Sequence, residues 1–201
     1  MLLILGIMAS CKTIEPIAFA PSPPPPRPKQ TIPFRRVALI EFYDHAKHNQ
    51  AAKEFTALLR QELAEITVSS DFIVVEAGEL PSLRNPFTRG SISVKSLVEI
   101  RKRYKADAVI VGSVDEYNPY WKPSVHLALK VINTADASVP CEISEGWDAR
   151  REQVRRDMET YFRREYGGDD CRFGPDLIVA SPASFLRFVA NEVAYKLASS
   201  M

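Results

Sequence analysis

The stretch ADAVIVGSV, residues 106–114, shows the strongest buried-strand pattern in the chain and decides the fold. Continuous apolar runs rich in β-branched residues are typical of strands covered on both faces of a sheet. We therefore predict a central strand here, with Val109 and Val111 on opposite sides. Residues 125–132, VHLALKVI, alternate in part and follow the turn at Asn118-Pro119, so they predict an antiparallel partner.

Patterns on either side of this hairpin predict the rest of the sheet and its helices. Three more segments have strand character: residues 36–42, 72–76 and 141–147. Four segments have the spacing of amphipathic helices. They are residues 51–66, the segment after the capping residue Ser93 with Val94, Leu97, Val98, Arg101 and Tyr104 on one side, residues 148–165 and residues 185–197. This order predicts an α/β (α+β) fold, a small mixed β-sheet flanked by helices, with an added C-terminal helical segment.

The first eleven residues, MLLILGIMASC, are apolar, then small, and end in Cys11. The segment is too short to span a bilayer as a helix and has the pattern of a secretory signal. Met8-Ala9-Ser10-Cys11 resembles the lipobox of bacterial lipoproteins, in which the cysteine receives fatty-acyl (palmitate-type) lipid after cleavage. We predict a signal over residues 1–10 and lipidation at Cys11; the alternative is a buried N-terminal strand.

A proline-rich segment follows the cysteine and includes the run Pro23-Pro24-Pro25-Pro26. Proline lacks a backbone donor and fixes φ, so such a segment is typically extended and without a core. We predict a tether over residues 11–34 and a single domain over residues 35–201. That domain divides into a core, residues 35–147, and a helical extension, residues 148–201.

The composition points to one ordinary globular domain and to no enzyme class. The 201 residues are 46% hydrophobic and 25% charged, and the net charge is +1. No overall field therefore favours nucleic acid, and we expect no nucleic-acid partner. The chain has no GxSxG, P-loop or GxGxxG motif. We predict that it is not an enzyme and has no cofactor and no metal site.

The histidines and cysteines each leave an alternative open. Asp44, His45 and His48 offer metal-binding groups, but a solvated loop is the favoured interpretation, and His126 is expected to be structural. With Cys11 lipidated, Cys141 and Cys171 remain as an even pair in an oxidising compartment. A disulfide between them and two separate buried thiols are equally compatible with the sequence. The candidate metal and cysteine sites are Asp44, His45, His48, His126, Cys141 and Cys171.

Two surface groups are candidates for an interface. Tyr117, Tyr120 and Trp121 surround the predicted hairpin tip, and aromatic residues are enriched at binding hot spots. Ordinary cross-strand packing is the alternative for them. The second group is a basic cluster in the 148–165 helix, with acidic residues interspersed, for which a solvated helix face is the alternative. Its candidate interface residues are Arg151, Arg155 and Arg156.

Several strand segments together carry a resemblance to a known family. RRVALIEFYD, FIVVE, YKADAVIVGSVDEY and VHLALKVINTADASVPCEISEGW resemble the curli-secretion-channel-like superfamily. That group includes TolB amino-terminal domains and the lipoproteins that activate penicillin-binding proteins. The resemblance covers residues 36–147 and implies a small mixed sheet flanked by helices. It also implies periplasmic binding to a peptidoglycan synthase, to copies of the chain itself or to other envelope proteins, with no catalytic residues to transfer.

Together these patterns predict a lipid-anchored binding, assembly or regulatory module of the cell envelope. Regulation of a peptidoglycan synthase is one form of it, the partner is unidentified, and self-association fits the resemblance. Lys12 follows the lipidated cysteine in place of the aspartate that marks inner-membrane retention, which favours the outer membrane facing the periplasm. The alternatives are a secretion-channel-like oligomer subunit and an enzyme. A pore needs long amphipathic hairpins, whereas this hairpin is short and carries Pro119 and Pro123.

Overall fold

The computed structural model describes residues 24–45, 49–76, 78–79, 92–166 and 181–201. The strands are β1 (Arg36–Ile40), β2 (Tyr43–Asp44), β3 (Asp71–Val75), β4 (Ala108–Asn118), β5 (Ser124–Asn133) and β6 (Cys141–Asp148). The helices are α1 (Asn49–Ile66), α2 (Val94–Tyr104), α3 (Glu152–Tyr166) and α4 (Pro182–Ser200). Within these ranges no helix is both long and apolar enough to cross a bilayer.

The strands form one mixed sheet in the order β3-β1-β4-β5-β6, with β2 pairing along β4. β1 runs parallel to both β3 and β4, and its Val37 lies opposite Ala108. β4, β5 and β6 form an antiparallel meander. The predicted fold class, a small mixed sheet flanked by helices, is confirmed.

Strand β4 is covered on both faces, as its unbroken apolar run predicted. Ala108 and Ile110 belong to the larger core on one face, and Val109 and Val111 belong to the smaller core under α2. The prediction that Val109 and Val111 face opposite sides was wrong, because side chains two residues apart in a strand share a face. The strand and its two-sided burial stand, and only the assignment of side chains to faces changes.

Helix α2 begins where the sequence placed it, with the Ser93 side chain accepting a hydrogen bond from the Ser96 amide. Its buried residues differ from the predicted set, which was Val94, Leu97, Val98, Arg101 and Tyr104. Val94 and Val98 are exposed, and Ser96, Leu97 and Ile100 are buried. Relative to the prediction, the buried face of the helix is shifted by about one residue. Ile100, which was not in the predicted set, packs against the sheet.

The C-terminal helical segment forms one side of the larger core. Helix α4 buries ten residues, among them Phe185, Phe188 and Val189, and it packs along α1. Helix α3 adds Met158, Tyr161 and Phe162 to the same core. Residues 148–201 are therefore continuous with the core formed by residues 35–147.

Helices α1, α3 and α4 all run in the same direction along the sheet. We call the end of the sheet where β4 passes into β5 the hairpin pole, and the end where Ala108 pairs with Asn133 the far pole. Helix α1 starts beside β2, which pairs with Val114, and ends at Ile66 just before β3. Helix α3 follows the hairpin-pole end of β6, and Ser200 at the end of α4 hydrogen-bonds Cys141 at the far pole. All three helix N-termini thus point toward the hairpin pole.

Part of the predicted tether lies against the domain, and we call residues 24–34 the strap. Gln30 forms a parallel bridge with Thr67, with its amide donating to the Ile66 carbonyl at 2.7 Å. Ile32 is 6% exposed and belongs to the larger core. The packed structure therefore begins before residue 35, because the apolar Ile32 sits beside the end of α1. Residues 11–23 lie outside the described residues.

A buried carboxylate, that of Glu62, links α1 to α3 and α4. It accepts hydrogen bonds from the Asn191 amide at 2.8 Å and, at 3.4 Å each, from the Arg187 guanidinium and the Tyr161 hydroxyl. Burial is the main reason that the pKa of Glu62 lies above its usual value of 4.5, and the Asn191 hydrogen bond opposes the shift. The folded state therefore holds this proton more tightly than the unfolded state.

This shift predicts a specific pH dependence of stability. Because the pKa is higher in the folded state, Glu62 contributes stability below about pH 4.5 that is lost as the pH rises through the folded-state pKa. Replacing Glu62 with Gln should remove that part of the pH dependence in urea unfolding measured from pH 4 to pH 7. The exposed Glu54, on the same helix, gives the control Glu54→Gln, which should keep the wild-type slope. Equal slopes in wild type and Glu62→Gln would contradict the assignment.

Candidate interaction surface at the hairpin pole

The connection between β4 and β5 presents two large aromatic side chains to solvent. Tyr120 is 76% exposed and Trp121 is 85% exposed. The Asn118 side chain accepts a hydrogen bond from the Tyr120 amide at 3.1 Å, which holds the start of the turn. Trp121 and Lys122 both have positive φ, 30° and 64°, a region that non-glycine residues enter at a cost. The turn therefore holds its aromatic residues outward in a strained backbone.

Tyr117, the third aromatic residue predicted here, has a different environment. It lies opposite Val125 on the β4–β5 ladder and packs, partly buried, against the larger core. Burial is the first cause, and the Glu54 carboxylate the second, that raises the pKa of Tyr117 to about 12. The structure therefore places Tyr117 partly in the core and separates it from the exposed pair Tyr120 and Trp121.

The register of β5 and β6 brings the second candidate group to the same pole. Ser124 pairs with Asp148, and the Ala149 amide donates to the Pro123 carbonyl at 3.0 Å. The turn from β6 into α3, with exposed Arg150 and Arg151, is therefore adjacent to the hairpin tip. The two groups that the sequence analysis treated separately are neighbours in the fold.

The basic side chains at this pole differ in how far their charges are compensated. Arg150 makes a two-pronged contact with Asp148, with nitrogen–oxygen distances of 2.7 to 2.9 Å, and this contact is the main cause that lowers the pKa of Asp148. The Glu152 carboxylate forms ion pairs with two of the predicted interface residues. Its nitrogen–oxygen distances are 2.8 Å to Arg155 and 3.2 Å to Arg156. Ordinary helix ion pairs therefore account for Arg155 and Arg156.

Lys122 and Arg151 are basic residues of the pole without a direct ion pair, although the charge of Arg151 contributes to the lowered pKa of Asp148. Neither makes an ion pair with any residue in the part of the chain that the structure describes. The N-termini of α1, α3 and α4 point toward the same pole, and each carries a partial positive charge from its helix dipole. We call Tyr120, Trp121, Lys122 and Arg151 the tip surface. It combines exposed aromatic area with two basic side chains.

The two histidines within the described residues, His45 and His126, occupy ordinary environments. His45 is exposed, with its ring edge-on to Tyr43 at 4.7 Å between centroids, and His48 lies outside the described residues. His126 has a partner that the sequence analysis missed: its Nδ1 is 3.4 Å from a carboxylate oxygen of Asp115. The hairpin pattern in the sequence predicts that the two strands pair. It does not predict the contact between His126 and Asp115, because a bulge at Asp115 shifts the pairing by one residue.

The same Asp115 accepts a 2.7 Å hydrogen bond from the Ser113 hydroxyl. In a nucleophilic site the hydroxyl donates to the imidazole, which then removes its proton. Here both Ser113 and His126 contact the carboxylate, so the arrangement fixes side chains on the sheet and does not activate the hydroxyl. Among the described residues there is no group of three or more potential metal-ligating side chains.

Of the three cysteines, only Cys141 lies within the described residues. It is buried at the start of β6, and burial raises the pKa of its thiol. A thiol with a raised pKa is a weak nucleophile, since the thiolate is the reactive form. Cys11 and Cys171 lie outside the described residues, so lipidation of Cys11 and a disulfide between Cys141 and Cys171 stay predictions.

No protein-family model matches the chain, and no curated protein matches it in sequence. Several solved structures are similar to this chain in fold at low sequence identity. A PelC dodecamer from Paraburkholderia phytofirmans has a TM-score of 0.43 at 14% identity, covering 76% of this chain and 87% of its own.

Two further solved structures are similar in fold. Lipoprotein GNA1162 from Neisseria meningitidis has a TM-score of 0.39 at 12% identity, covering 57% of this chain and 80% of its own. LpoB from E. coli has a TM-score of 0.34 at 14% identity, covering 72% of this chain and 82% of its own.

Proposed function

We propose that this chain is a lipid-anchored binding module of the cell envelope and that its tip surface docks an acidic site on another envelope protein. The lipid is attached at Cys11, in the outer membrane, and the domain faces the periplasm. The module acts by binding and not by catalysis. The observation that carries the docking proposal is the exposed Trp121 beside Lys122 and Arg151, which make no direct ion pair among the described residues.

Physical chemistry favours a macromolecular partner for this combination of side chains. A tryptophan left in water forgoes roughly 2–3 kcal/mol of burial free energy, which becomes available when a partner covers it. Trp, Tyr and Arg are the side chains enriched at binding hot spots. Lys122, Arg151 and the three helix N-termini add a positive field, which accelerates encounter with an acidic surface.

The tip surface is tested by removing its aromatic and basic side chains together. The variant Trp121→Ala/Lys122→Glu/Arg151→Glu should fold normally, since all three side chains are on the surface. Its capture of the partner in intact cells, measured with a photo-crosslinker at Tyr120, should fall at least about tenfold, the effect of losing one hot spot. The salt dependence of binding to the purified partner should also flatten.

A matched control comes from α2, which also exposes one apolar and two basic side chains. The variant Val94→Ala/Lys95→Glu/Lys102→Glu changes the same numbers of apolar and charged groups away from the hairpin pole. It should capture the partner as the wild type does. Equal loss in both variants would show a general charge effect and contradict docking at the tip. Loss of function in His45→Ala/His126→Ala, with normal function in the tip variant, would instead point to a catalytic or metal site.

The anchor is tested by replacing Cys11 with Ala. In this proposal the lipid is attached only to Cys11, at the end of the signal segment. The variant should therefore leave the membrane fraction and appear in the soluble fraction. Mass spectrometry of the wild type should show a mature chain that begins at Cys11 with acyl groups attached. A Cys11→Ala protein that still sediments with membranes after a salt wash would contradict lipid anchoring.

A further inference from the structure

The strap attaches to the domain at the far pole. Besides the bridge between Gln30 and Thr67, the Arg27 guanidinium forms a 2.7 Å ion pair with Glu192 and lies 4.5 Å from the ring centroid of Tyr195. Arg164 donates to the carbonyl of Pro25 at 3.1 Å. All of these contacts lie toward the C-terminal ends of α1, α3 and α4.

A small polar cavity under the strap lies at the same end of the domain as these contacts. Its volume is about 120 Å³, and its lining includes Pro26 and Arg27 from the strap, Ile66 near the end of α1 and Tyr195 from α4. Strap residues and helix C-terminal ends thus enclose one space. The chain consequently enters the domain at the far pole.

The tip surface lies almost a full domain length from that entry point. Strand β4 has eleven residues, which at about 3.3 Å per residue extend roughly 36 Å from the far pole to the hairpin pole. Helix α1 runs the same way, and its 18 residues extend about 27 Å at 1.5 Å per residue. Entry and tip surface are therefore at opposite ends of the molecule.

We infer that, with the strap docked, the tip surface faces away from the membrane that holds the lipid, so that its partner is an acidic protein surface on the distal side of the domain. This inference rests on the proposed anchor at Cys11 and the proposed docking at the tip. Twelve residues separate Cys11 from Pro24. At about 3.1 Å per residue they reach at most roughly 37 Å.

The limited length of this segment argues against direct binding of the tip surface to the membrane. To press Trp121 onto the bilayer the domain would have to turn over, which places the strap entry about one domain length, roughly 36 Å, above the surface. The twelve-residue segment would then be stretched almost to its limit, and a stretched chain loses conformational entropy. The domain standing on its tether, with the tip outward, requires no such stretching.

The orientation is measured by quenching of tryptophan fluorescence with brominated lipids. The full lipidated chain carrying Trp147→Phe keeps Trp121 as its only tryptophan. Reconstituted into phosphatidylcholine–phosphatidylglycerol vesicles with brominated acyl chains, it should lose less than about a tenth of its fluorescence. If Trp147→Phe unfolds, the difference between wild type and Trp121→Phe gives the same quantity.

A reference tryptophan at the far pole calibrates the measurement. Val68 is exposed beside Gln30, so Val68→Trp in a Trp121→Phe/Trp147→Phe chain reports on the strap end. It should be quenched at least as strongly as Trp121. Trp121 quenched more strongly than the Val68→Trp reporter would overturn the orientation.

The outcomes separate this inference from the proposed function. An unquenched Trp121 together with normal capture by the tip variant keeps the orientation and overturns docking. A strongly quenched Trp121 together with lost capture by the tip variant keeps docking and overturns the orientation. A wild-type chain that does not stay on the vesicles overturns the anchor, and the orientation with it.

Discussion

Replacing Val109 with Asp is expected to prevent the domain from folding. Val109 is 0% exposed, lies in the central strand β4 and pairs with Ile132, so no basic group faces it across the ladder. An unpaired buried carboxylate costs several kcal/mol, and the lost valine packing adds to this. A domain of this size has a total stability of roughly 5–15 kcal/mol, so most of it would be lost.

The same substitution two residues later provides the control. Val111 faces the same core but pairs with Lys130, whose ammonium group makes a 2.9 Å ion pair with Glu142. An aspartate at position 111 has that cation opposite it, so Val111→Asp should cost distinctly less than Val109→Asp. Urea unfolding followed by circular dichroism compares the two. A Val109→Asp protein that unfolds cooperatively near the wild-type midpoint would refute the placement of β4.

Deleting the strap, residues 24–34, is expected to lower the free energy of unfolding by about 3–5 kcal/mol. Burial of the Ile32 side chain contributes about 2–3 kcal/mol. The partly exposed ion pair between Arg27 and Glu192 adds at most about 1 kcal/mol, and the backbone bridge at Gln30 adds about another. A free tether over residues 11–34, as predicted from the sequence, would leave the unfolding transition almost unchanged.

A deletion of equal length tests the other part of the segment. Residues 12–22 belong to the stretch that the proline-rich sequence predicts to be a spacer, so their removal should leave the unfolding midpoint unchanged. The point substitution Ile32→Ala should reproduce about 2–4 kcal/mol of the strap effect. A strap deletion with wild-type stability would show that these contacts contribute nothing in solution.

The elements of the fold were predictable because their signals are local. The apolar run of β4, the hairpin into β5 and the amphipathic spacing of α1 each depend on neighbours within a few residues. A mixed sheet followed from the order of those elements. The face on which each side chain lies was harder to predict from the sequence. The burial of Ile100 and the exposure of Val94 depend on how α2 packs on the sheet, which residue spacing alone does not determine.

Three of the four residues of the tip surface were predicted from the sequence, but Lys122 and the assembly of the surface were not. Trp121 and Arg151 were both proposed from the sequence, yet their proximity results from the pairing of Ser124 with Asp148. The contact between His126 and Asp115 requires a one-residue bulge, which no local sequence pattern predicted. The packing of Ile32 depends on where α1 ends. Each of these features is set by register between distant segments.

The parallel pairing of β1 with β4 determines the order in which the molecule can assemble. Val37 finds its partner Ala108 only after more than half of the chain has been made, and closing so long a loop carries a large entropic cost. The meander β4-β5-β6 needs only short connections and so can form first. It then serves as the template onto which β1 is added, and β3 follows on the other edge of β1. Until β4 has been made, β1 can pair only with β3 and not with the main sheet, which fits the proposed export of the chain across a membrane before it folds.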